Sequence, residues 1–209
     1  MIKNIIVIII VFAGYSILHS LFSGLRIKAF FWKYFPNYFS FYRITFNVIQ
    51  FFLFVLLWIV IPKPSDIIYR VDGVIEWLFR ALQILSLVGL GLALMEFKKS
   101  EFLGLSQIRR FFKDHNAERS DERYELAISG PYAICRHPLY LFTITLFLFE
   151  PVMTLFKLLF VIWLIIYFYI GSFYEERRLT SELGERYISY QKNVSRIFPA
   201  KWLKGLLRK

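Results

Sequence analysis

Long apolar runs with few or no charges are the feature that most constrains how this chain of 209 residues can fold. Residues 5–22, 44–61 and 74–95 each form a run of the roughly 17–25 residues that a helix needs to cross a bilayer. A fourth apolar block follows at 139–174. Composition agrees, because 57% of the residues are hydrophobic, whereas a soluble domain has roughly 45–50%. We therefore predict an all-α integral membrane protein that crosses the bilayer several times.

The last apolar block divides at Glu150-Pro151. Residues 139–150 number only 12, about 18 Å as a helix, which is too short to cross a hydrocarbon core of roughly 30 Å alone. Residues 152–174 are long enough, and Pro151 suits the first turn of this return helix, where its missing N–H costs nothing. We predict about five membrane segments, of which the last two form a helical hairpin followed by a cytoplasmic C-terminal helical tail.

The distribution of Lys and Arg predicts the orientation in the membrane. Residues 23–43 carry four basic and no acidic residues, 62–73 carry two of each, 96–138 carry eight against seven, and 175–209 carry nine basic residues. Because cytoplasmic loops are enriched in Lys and Arg, we expect a cytoplasmic (inner) membrane protein with its N-terminus outside and its tail in the cytoplasm. The net charge of +11 then reflects attraction to an anionic membrane surface rather than to nucleic acid. Residues 201–209 are expected to form a basic amphipathic segment on that surface.

Polar, titratable and aromatic residues are concentrated at both ends of the block 139–174, and the predicted hairpin brings the two ends together. Ionisable groups at a membrane boundary cost free energy unless they are paired or functional. Tyrosine faces attract a sulfonium cation, and a carboxylate accepts hydrogen bonds from ribose hydroxyls, so the set suits a zwitterionic cofactor with a cationic centre. The spacing suits a plain interfacial anchor equally well, so both interpretations stay open. The set comprises Tyr132, Arg136, His137 and Tyr140 at one end and Glu175, Glu176, Tyr187 and Tyr190 at the other.

The order of short motifs around this set resembles the isoprenylcysteine carboxyl methyltransferase and phospholipid methyltransferase superfamily of integral-membrane enzymes. This resemblance covers roughly residues 127–199, about a third of the chain. A weaker resemblance to the NnrU and methanethiol S-methyltransferase-like branch lies in Leu18-His19-Ser20-Leu21, Tyr42-Arg43 and residues 101–107 and 150–154. The stronger motifs are Gly130-Pro131-Tyr132, Arg136-His137-Pro138-Leu139-Tyr140, Glu175-Glu176 with Leu179, and Gly184 with Tyr187, Tyr190 and Pro199.

The resemblance implies that the chain binds S-adenosyl-L-methionine and transfers its methyl group to a small thiol or lipophilic acceptor. It implies one methyltransferase-like domain over 1–209, with an N-terminal three-helix part over 1–96 and the cofactor-binding hairpin and tail over 127–199. Arg136 is our candidate catalytic residue, since it could stabilise a nearby anion. The implied cofactor-binding residues are Leu126, Ala127, Tyr132, His137, Pro138, Leu139, Tyr140 and Glu175, with Glu176, Tyr187 and Tyr190 supporting them from behind.

The two adjacent glutamates are expected to differ in role, because neighbouring helical residues point about 100° apart. The resemblance places Glu175 at the cofactor, so we expect Glu176 to point elsewhere and to pair with Arg178 or a loop cation. The chain departs from the isoprenylcysteine enzymes at Gly171, where they have an arginine that holds the substrate. This departure disfavours a prenylcysteine carboxylate as the acceptor.

Other functions stay open on the sequence alone. The first alternative is an isoprenylcysteine carboxyl or phospholipid methyltransferase. The others are an NADPH-dependent membrane reductase and a non-enzymatic membrane component. A single cysteine, Cys135, excludes an intrachain disulfide and is expected to be a buried apolar residue. His19 is expected to be a packing residue, and His115 has no partner at metal-ligand spacing, so no metal site is predicted.

Overall fold

The computed structural model of this chain describes residues 1–96, 103–113 and 126–207, most of which are helical. Two short strands also occur, β1 (Ile67–Arg70) and β2 (Val152–Thr154). The helices are α1 (Ile2–Ser23), α2 (Leu25–Tyr34), a 3₁₀ helix (Pro36–Phe41), α3 (Tyr42–Val60), α4 (Val74–Met95), α5 (Leu105–Lys113), α6 (Pro131–Ile134), α7 (Pro138–Leu148), α8 (Leu155–Leu183), α9 (Glu185–Asn193) and α10 (Ala200–Leu206).

Four stretches of helix are long and apolar enough to cross a membrane: α1, the 3₁₀ helix continued by α3, α4, and α8. Large apolar side chains on them are exposed, among them Ile9, Phe51, Ile84 and Ile165, as expected where lipid covers a helix. α7 has 11 residues and is too short to span alone, as predicted. These helices support the predicted multi-pass membrane protein, whereas the count of five segments and the orientation stay predictions.

The chain divides by its internal contacts into two compact units, Met1–Lys63 with Phe97–Glu125 and Pro64–Glu96 with Leu126–Lys209. In the first unit α1 packs on α3 through aromatic rings. The Tyr15 ring lies 5.6 Å from that of Phe54, and the His19 ring lies 5.2 Å from that of Phe46. His19 is thus in ring contact within the helix interface, which is the packing environment expected for it.

In the second unit α4 packs on α7, and a few polar pairs fix the contact. The hydroxyls of Ser86 and Thr145 lie 2.8 Å apart between the two helices. Gln83 donates to a Glu150 carboxylate oxygen at 2.8 Å, and Lys157 of α8 donates to the other oxygen at 2.7 Å. Glu150, which follows α7, therefore links the middle of α4 to the start of α8 through Gln83 and Lys157.

α7 packs closely against α4 at Gly89, since a Cβ built there would lie 2.6 Å from the Phe142 ring. We expect Gly89→Ala to lower the free energy of unfolding by about 1–3 kcal/mol, because an added methyl overfills the contact. Gly91→Ala is the matched control, since nothing lies within 4 Å of its Cβ position. Thermal unfolding in one detergent checks both variants, and equal midpoints would contradict this packing.

A small sheet distinguishes the structure from the predicted all-α fold. β1 pairs antiparallel with β2, and further bonds run from Val71 N to Pro151 O and from Leu155 N to Asp66 O. Residues 67–70 were expected to be a loop, yet their Ile-Ile-Tyr run has the β-branched and aromatic character that favours a strand. Their backbone groups are satisfied by a segment that is about 80 residues away in the sequence.

The position of Pro151 and the length of α8 also differ from expectation. Pro151 does not lie in the first turn of the return helix, because β2 intervenes and α8 begins only at Leu155. Thr154 caps α8, its hydroxyl accepting from the Lys157 amide at 3.3 Å. α8 then continues past Tyr174 to Leu183 and ends at Gly184, whose φ of +55° is one that glycine adopts readily.

The third apolar helix matches its predicted bounds, and the Glu76–Arg80 pair forms as its spacing predicts, with 3.6 Å between Glu76 Oε1 and an Arg80 guanidinium nitrogen. Because both side chains are largely exposed, this pair contributes little to stability.

Candidate active site

The start of α7 and the last turns of α8 meet. His137 precedes α7, and Pro138 occupies its first turn, where the absent proline N–H is not needed. The Tyr140 hydroxyl donates to Glu175 Oε2 at 2.9 Å, and His137 Nδ1 lies 3.4 Å from the same oxygen. Two sets of residues that are about 35 positions apart in sequence therefore form one cluster.

Glu175 presents a carboxylate that is accessible at the surface of this cluster. Its side chain is 38% exposed, although Tyr140 and His137 hold one of its oxygens. Beside it the rings of His137, Tyr140 and Phe168 stack in a column, with centroids 5.1 Å and 4.4 Å apart and planes within 5° and 2°. A fixed carboxylate next to aromatic faces can accept hydrogen bonds and attract a cation.

Glu176 is in the opposite environment, with a side chain only 4% exposed. Its Oε1 accepts from Arg136 Nε at 2.8 Å and lies 3.2 Å from His137 Nε2. Its Oε2 lies 3.0 Å from an Arg196 guanidinium nitrogen and accepts from Gln191 at 3.1 Å. Arg136 is a loop cation of the kind that we expect to pair with Glu176. Arg196 is not among the residues predicted for this site.

The tail after α9 is held against the segment that precedes α7. Cys135 and Ser195 form a parallel β-bridge, and the side chain of Arg136, only 8% exposed, reaches tail carbonyls. Tyr190 donates its hydroxyl to the Tyr132 carbonyl at 2.6 Å. Glu176 thus lies at the centre of a group of polar residues that fixes the tail. We call this group, which comprises Arg136, His137, Glu176, Gln191 and Arg196, the polar clamp. Its further bonds run from Arg136 Nη1 to Gln191 O and Val194 O, from Arg136 N to Ser195 O and from His137 N to Arg196 O.

The ring of His137 lies between the two glutamates, one at each nitrogen. Burial, the largest single influence, lowers its pKa, but the hydrogen bonds and charges of Glu175 and Glu176 together outweigh burial and raise the pKa above its ordinary value. The imidazolium form is therefore favoured, and it can donate to both carboxylates at once.

Cys135 is fully buried, as expected, and burial raises the pKa of its thiol to about 12. A thiol that stays protonated at neutral pH is a poor nucleophile, so Cys135 has a packing role. Burial likewise raises the pKa of the Tyr187 and Tyr190 hydroxyls, which leaves both protonated.

The other predicted site residues differ in how closely they join the cluster. Tyr132, Pro138, Tyr187 and Tyr190 are buried behind it. Leu126, Ala127 and Leu139 are half-buried, and no described contact joins them to either glutamate. His115, Glu101 and Phe102 lie outside the described residues. Phe168 is not among the predicted site residues, although its position seven residues before Glu175 puts both on one face of α8.

No family model matches this chain, and no solved structure matches it. Three curated relatives do. Methanethiol S-methyltransferase of Pseudomonas deceptionensis is 41% identical over 69 residues, which cover 33% of this chain and 26% of the relative. Methanethiol S-methyltransferase 1 of Bradyrhizobium diazoefficiens is 34% identical over 99 residues, 47% of this chain and 33% of the relative.

The third relative, methanethiol S-methyltransferase of Pseudomonas sp. (strain GM41(2012)), is 43% identical over 68 residues, which cover 32% of this chain and 26% of the relative. The matched part of this chain spans between 26% and 33% of the length of these relatives. The chain is therefore similar, over part of its length, to proteins of the methanethiol S-methyltransferase branch, which confirms the resemblance predicted from its motifs.

Proposed function

We propose that this chain is an integral-membrane methyltransferase that uses S-adenosyl-L-methionine and acts on a small thiol or another small lipophilic acceptor. One observation supports this most strongly. Of two adjacent glutamates, Glu176 is sealed into a polar clamp while Glu175 stays accessible beside a column of aromatic rings. The names of the partial relatives, methanethiol S-methyltransferases, agree with this function.

The chemistry of the residues around Glu175 fits this donor. S-adenosyl-L-methionine has a sulfonium cation, ribose hydroxyls and an ammonium group, all of which a carboxylate can engage. Tyr140 is the middle ring of the stacked column, so Phe168, the ring at its end, is the one whose outer face can supply the aromatic surface that a sulfonium favours. We propose that Glu175 and Tyr140 bind the cofactor directly. The other proposed lining residues are Leu126, Ala127, Tyr132, His137, Pro138 and Leu139.

The residues of the cluster prepare the site before any ligand enters. His137 and Tyr140 hold the Glu175 carboxylate in one position, so less conformational entropy is lost when it binds a ligand. Glu176, Arg136 and Arg196 fix the tail beneath them. We propose that Arg136 is a positioning residue, because its buried side chain donates to Glu176 and to carbonyls of the tail. We propose this role in place of the stabilisation of a reacting anion.

The donor supplies an electrophilic methyl carbon when bound. With a thiol as acceptor, the methyl group would pass from the sulfonium sulfur to the acceptor sulfur, the demethylated donor would leave as a thioether, and the thiol proton would pass to solvent. The part of the protein is to hold two reactants in line and to exclude water.

Calorimetric titration tests the cofactor and separates the alternatives. We expect S-adenosyl-L-methionine to bind the purified protein with one-to-one stoichiometry and NADPH to give no saturable heat. Binding of NADPH alone would support a membrane reductase, and binding of neither by folded protein would support a non-enzymatic component.

The surroundings of Gly171 predict the class of acceptor. Gly171 lies one helical turn before Glu175 on the same face of α8, and nothing lies within 4 Å of its Cβ position. A substrate carboxylate that moved from water to this part of the site would find no fixed cation at position 171. An unpaired buried charge costs on the order of several kcal/mol. A neutral thiol has no such cost before it reacts.

We therefore expect a small alkanethiol to be methylated faster than a prenylcysteine carboxylate. Initial rates with methyl-labelled donor, at equal acceptor concentration in one detergent, check this prediction. A clear preference for the prenylcysteine would show that another cation replaces the missing arginine.

The proposed orientation is tested by labelling single cysteines from one side of intact cells. Asp66→Cys, next to β1, is expected to be labelled by an impermeant reagent, and Glu182→Cys, at the end of α8, is not. The native Cys135 is buried and gives a low background. Labelling of both introduced cysteines from outside would contradict the hairpin and the positive-inside orientation.

A further inference from the structure

Arg196, in the tail segment 194–199 that follows α9, contacts the candidate active site in two ways. Its backbone carbonyl accepts from the amide of His137 at 3.0 Å. Its side chain donates through Nε to Glu176 Oε2 at 3.2 Å, and a second guanidinium nitrogen lies 3.0 Å from the same oxygen. The other oxygen of Glu176 lies 3.2 Å from His137 Nε2. Arg196 is therefore linked to His137 directly through the main chain and indirectly through Glu176.

An aromatic ring of α8 also holds the Arg196 side chain. The Arg196 Cζ lies 3.8 Å from the ring centroid of Phe173, well within the range of a cation–π interaction. A planar guanidinium can stack on a ring and present two N–H groups to a carboxylate at the same time, which a lysine ammonium cannot do. Through Phe173 and Glu176, Arg196 therefore attaches the tail segment to the last turns of α8.

The position of His137 matters for the proposed cofactor site because its other ring nitrogen faces the accessible glutamate. His137 Nδ1 lies 3.4 Å from Glu175 Oε2, and the same oxygen accepts from Tyr140. A displacement of His137 therefore removes one of the two groups that hold the Glu175 carboxylate in place. The connection from the tail to Glu175 consists of contacts of 3.4 Å or less, through Glu176 and then His137.

We propose that Arg196 is a positioning residue through which the docked tail segment sets the affinity of the site for its cofactor. This inference rests on the proposed function, in which Glu175 binds S-adenosyl-L-methionine. When the segment leaves the polar clamp, His137 loses its main-chain partner and Glu176 loses one of its cations. Because only molecules with a docked segment hold Glu175 in place, the apparent dissociation constant is the intrinsic one divided by the docked fraction. By the same linkage, a bound donor favours the docked segment.

Three substitutions after α8 test the proposal. Arg196→Gln removes the charge and the stacking contact but keeps the backbone carbonyl that accepts from His137. Arg196→Lys keeps only the charge. Arg186→Gln is the matched control, because it removes the same charge from an exposed residue of α9. Calorimetry and initial rates are measured on the full chain in one detergent, at a temperature where the unfolding midpoints show each variant to be folded.

We expect Arg196→Gln to weaken binding of S-adenosyl-L-methionine about 5- to 20-fold and to change kcat at saturating donor less than about twofold, because a bound donor restores the docked segment. Arg196→Lys should lose less affinity than Arg196→Gln, and Arg186→Gln should change it less than about twofold. A role in stability alone would lower the unfolding midpoint and leave the affinity of the folded protein unchanged. Unchanged affinity in Arg196→Gln, or an equal loss in Arg186→Gln, would therefore overturn the proposal.

Hydrogen exchange on the unchanged chain keeps the test decisive if an Arg196 variant does not fold. Saturating S-adenosyl-L-methionine should slow exchange of the His137 amide, which donates to Arg196, at least about threefold more than exchange of the Val71 amide, which donates to Pro151 beyond the far end of α7. Failure of the donor to bind the folded chain would reject the proposed function and this inference with it. Binding that slows both amides equally would reject the inference alone.

Discussion

Glu176→Gln is expected to lower the free energy of unfolding by about 3–5 kcal/mol, the largest loss of stability that we predict. The side chain of Arg136 is 8% exposed and has Glu176 as its charged partner, so the substitution leaves a buried cation uncompensated. Arg196 and the His137 ring lose the same charged partner. For a chain of this size, the melting midpoint should fall by about 6–20 °C.

The neighbouring glutamate supplies the matched control for this prediction. Glu175→Gln makes the same chemical change one residue away, at a side chain that is 38% exposed, and is expected to cost about 1 kcal/mol or less. Hydrogen exchange adds a local measurement: the amides of Arg136 and His137, which donate to Ser195 and Arg196, should lose protection only in Glu176→Gln. Equal midpoints for the two variants would show that the clamp does not stabilise the fold.

Glu175→Gln is expected to weaken binding of S-adenosyl-L-methionine by about 10- to 150-fold while the protein stays folded. The substitution keeps the size of the side chain but removes the charge, so hydrogen bonds to a carboxylate become weaker bonds to an amide. The Gln carbonyl oxygen can still accept from the Tyr140 hydroxyl and face the His137 ring, because both contact one Glu175 oxygen, so the amide nitrogen replaces the other oxygen and removes an acceptor that the cofactor could use.

Calorimetry at a temperature where both glutamate variants are folded measures this effect. We predict a large loss of cofactor affinity in Glu175→Gln and a smaller loss in Glu176→Gln. An equal loss in both would mean that the two carboxylates act as one unit, which would remove the distinction between an accessible and a clamped glutamate.

Much of the helical framework could be predicted from hydropathy, because membrane-length apolar runs have few other stable structures. The bounds of α4 are an example. β1 and β2 could not be predicted in this way. Each is short, and each is stabilised only by pairing with a segment far away in the sequence, which local patterns do not report.

The sequence predicts which residues make up the candidate site, but not which of them are accessible and which are buried in the polar clamp. Adjacency in a helix predicts that Glu175 and Glu176 point in different directions, and the structure agrees. It does not predict that Arg196 closes the clamp, because that depends on the path of the tail through the Cys135–Ser195 bridge. For the same reason the sequence does not predict that the Arg136 side chain reaches carbonyls of the tail.

Transfer of labelled methyl from S-adenosyl-L-methionine to a small alkanethiol is the most direct test of the proposed function. We predict a labelled thioether with the purified chain, a greatly reduced rate with Glu175→Gln, and a nearly unchanged rate with Glu182→Gln, which changes an exposed residue seven positions further along α8. Absence of transfer to thiols, prenylcysteines and phospholipids by folded protein that is saturated with the donor would contradict the assignment as a methyltransferase.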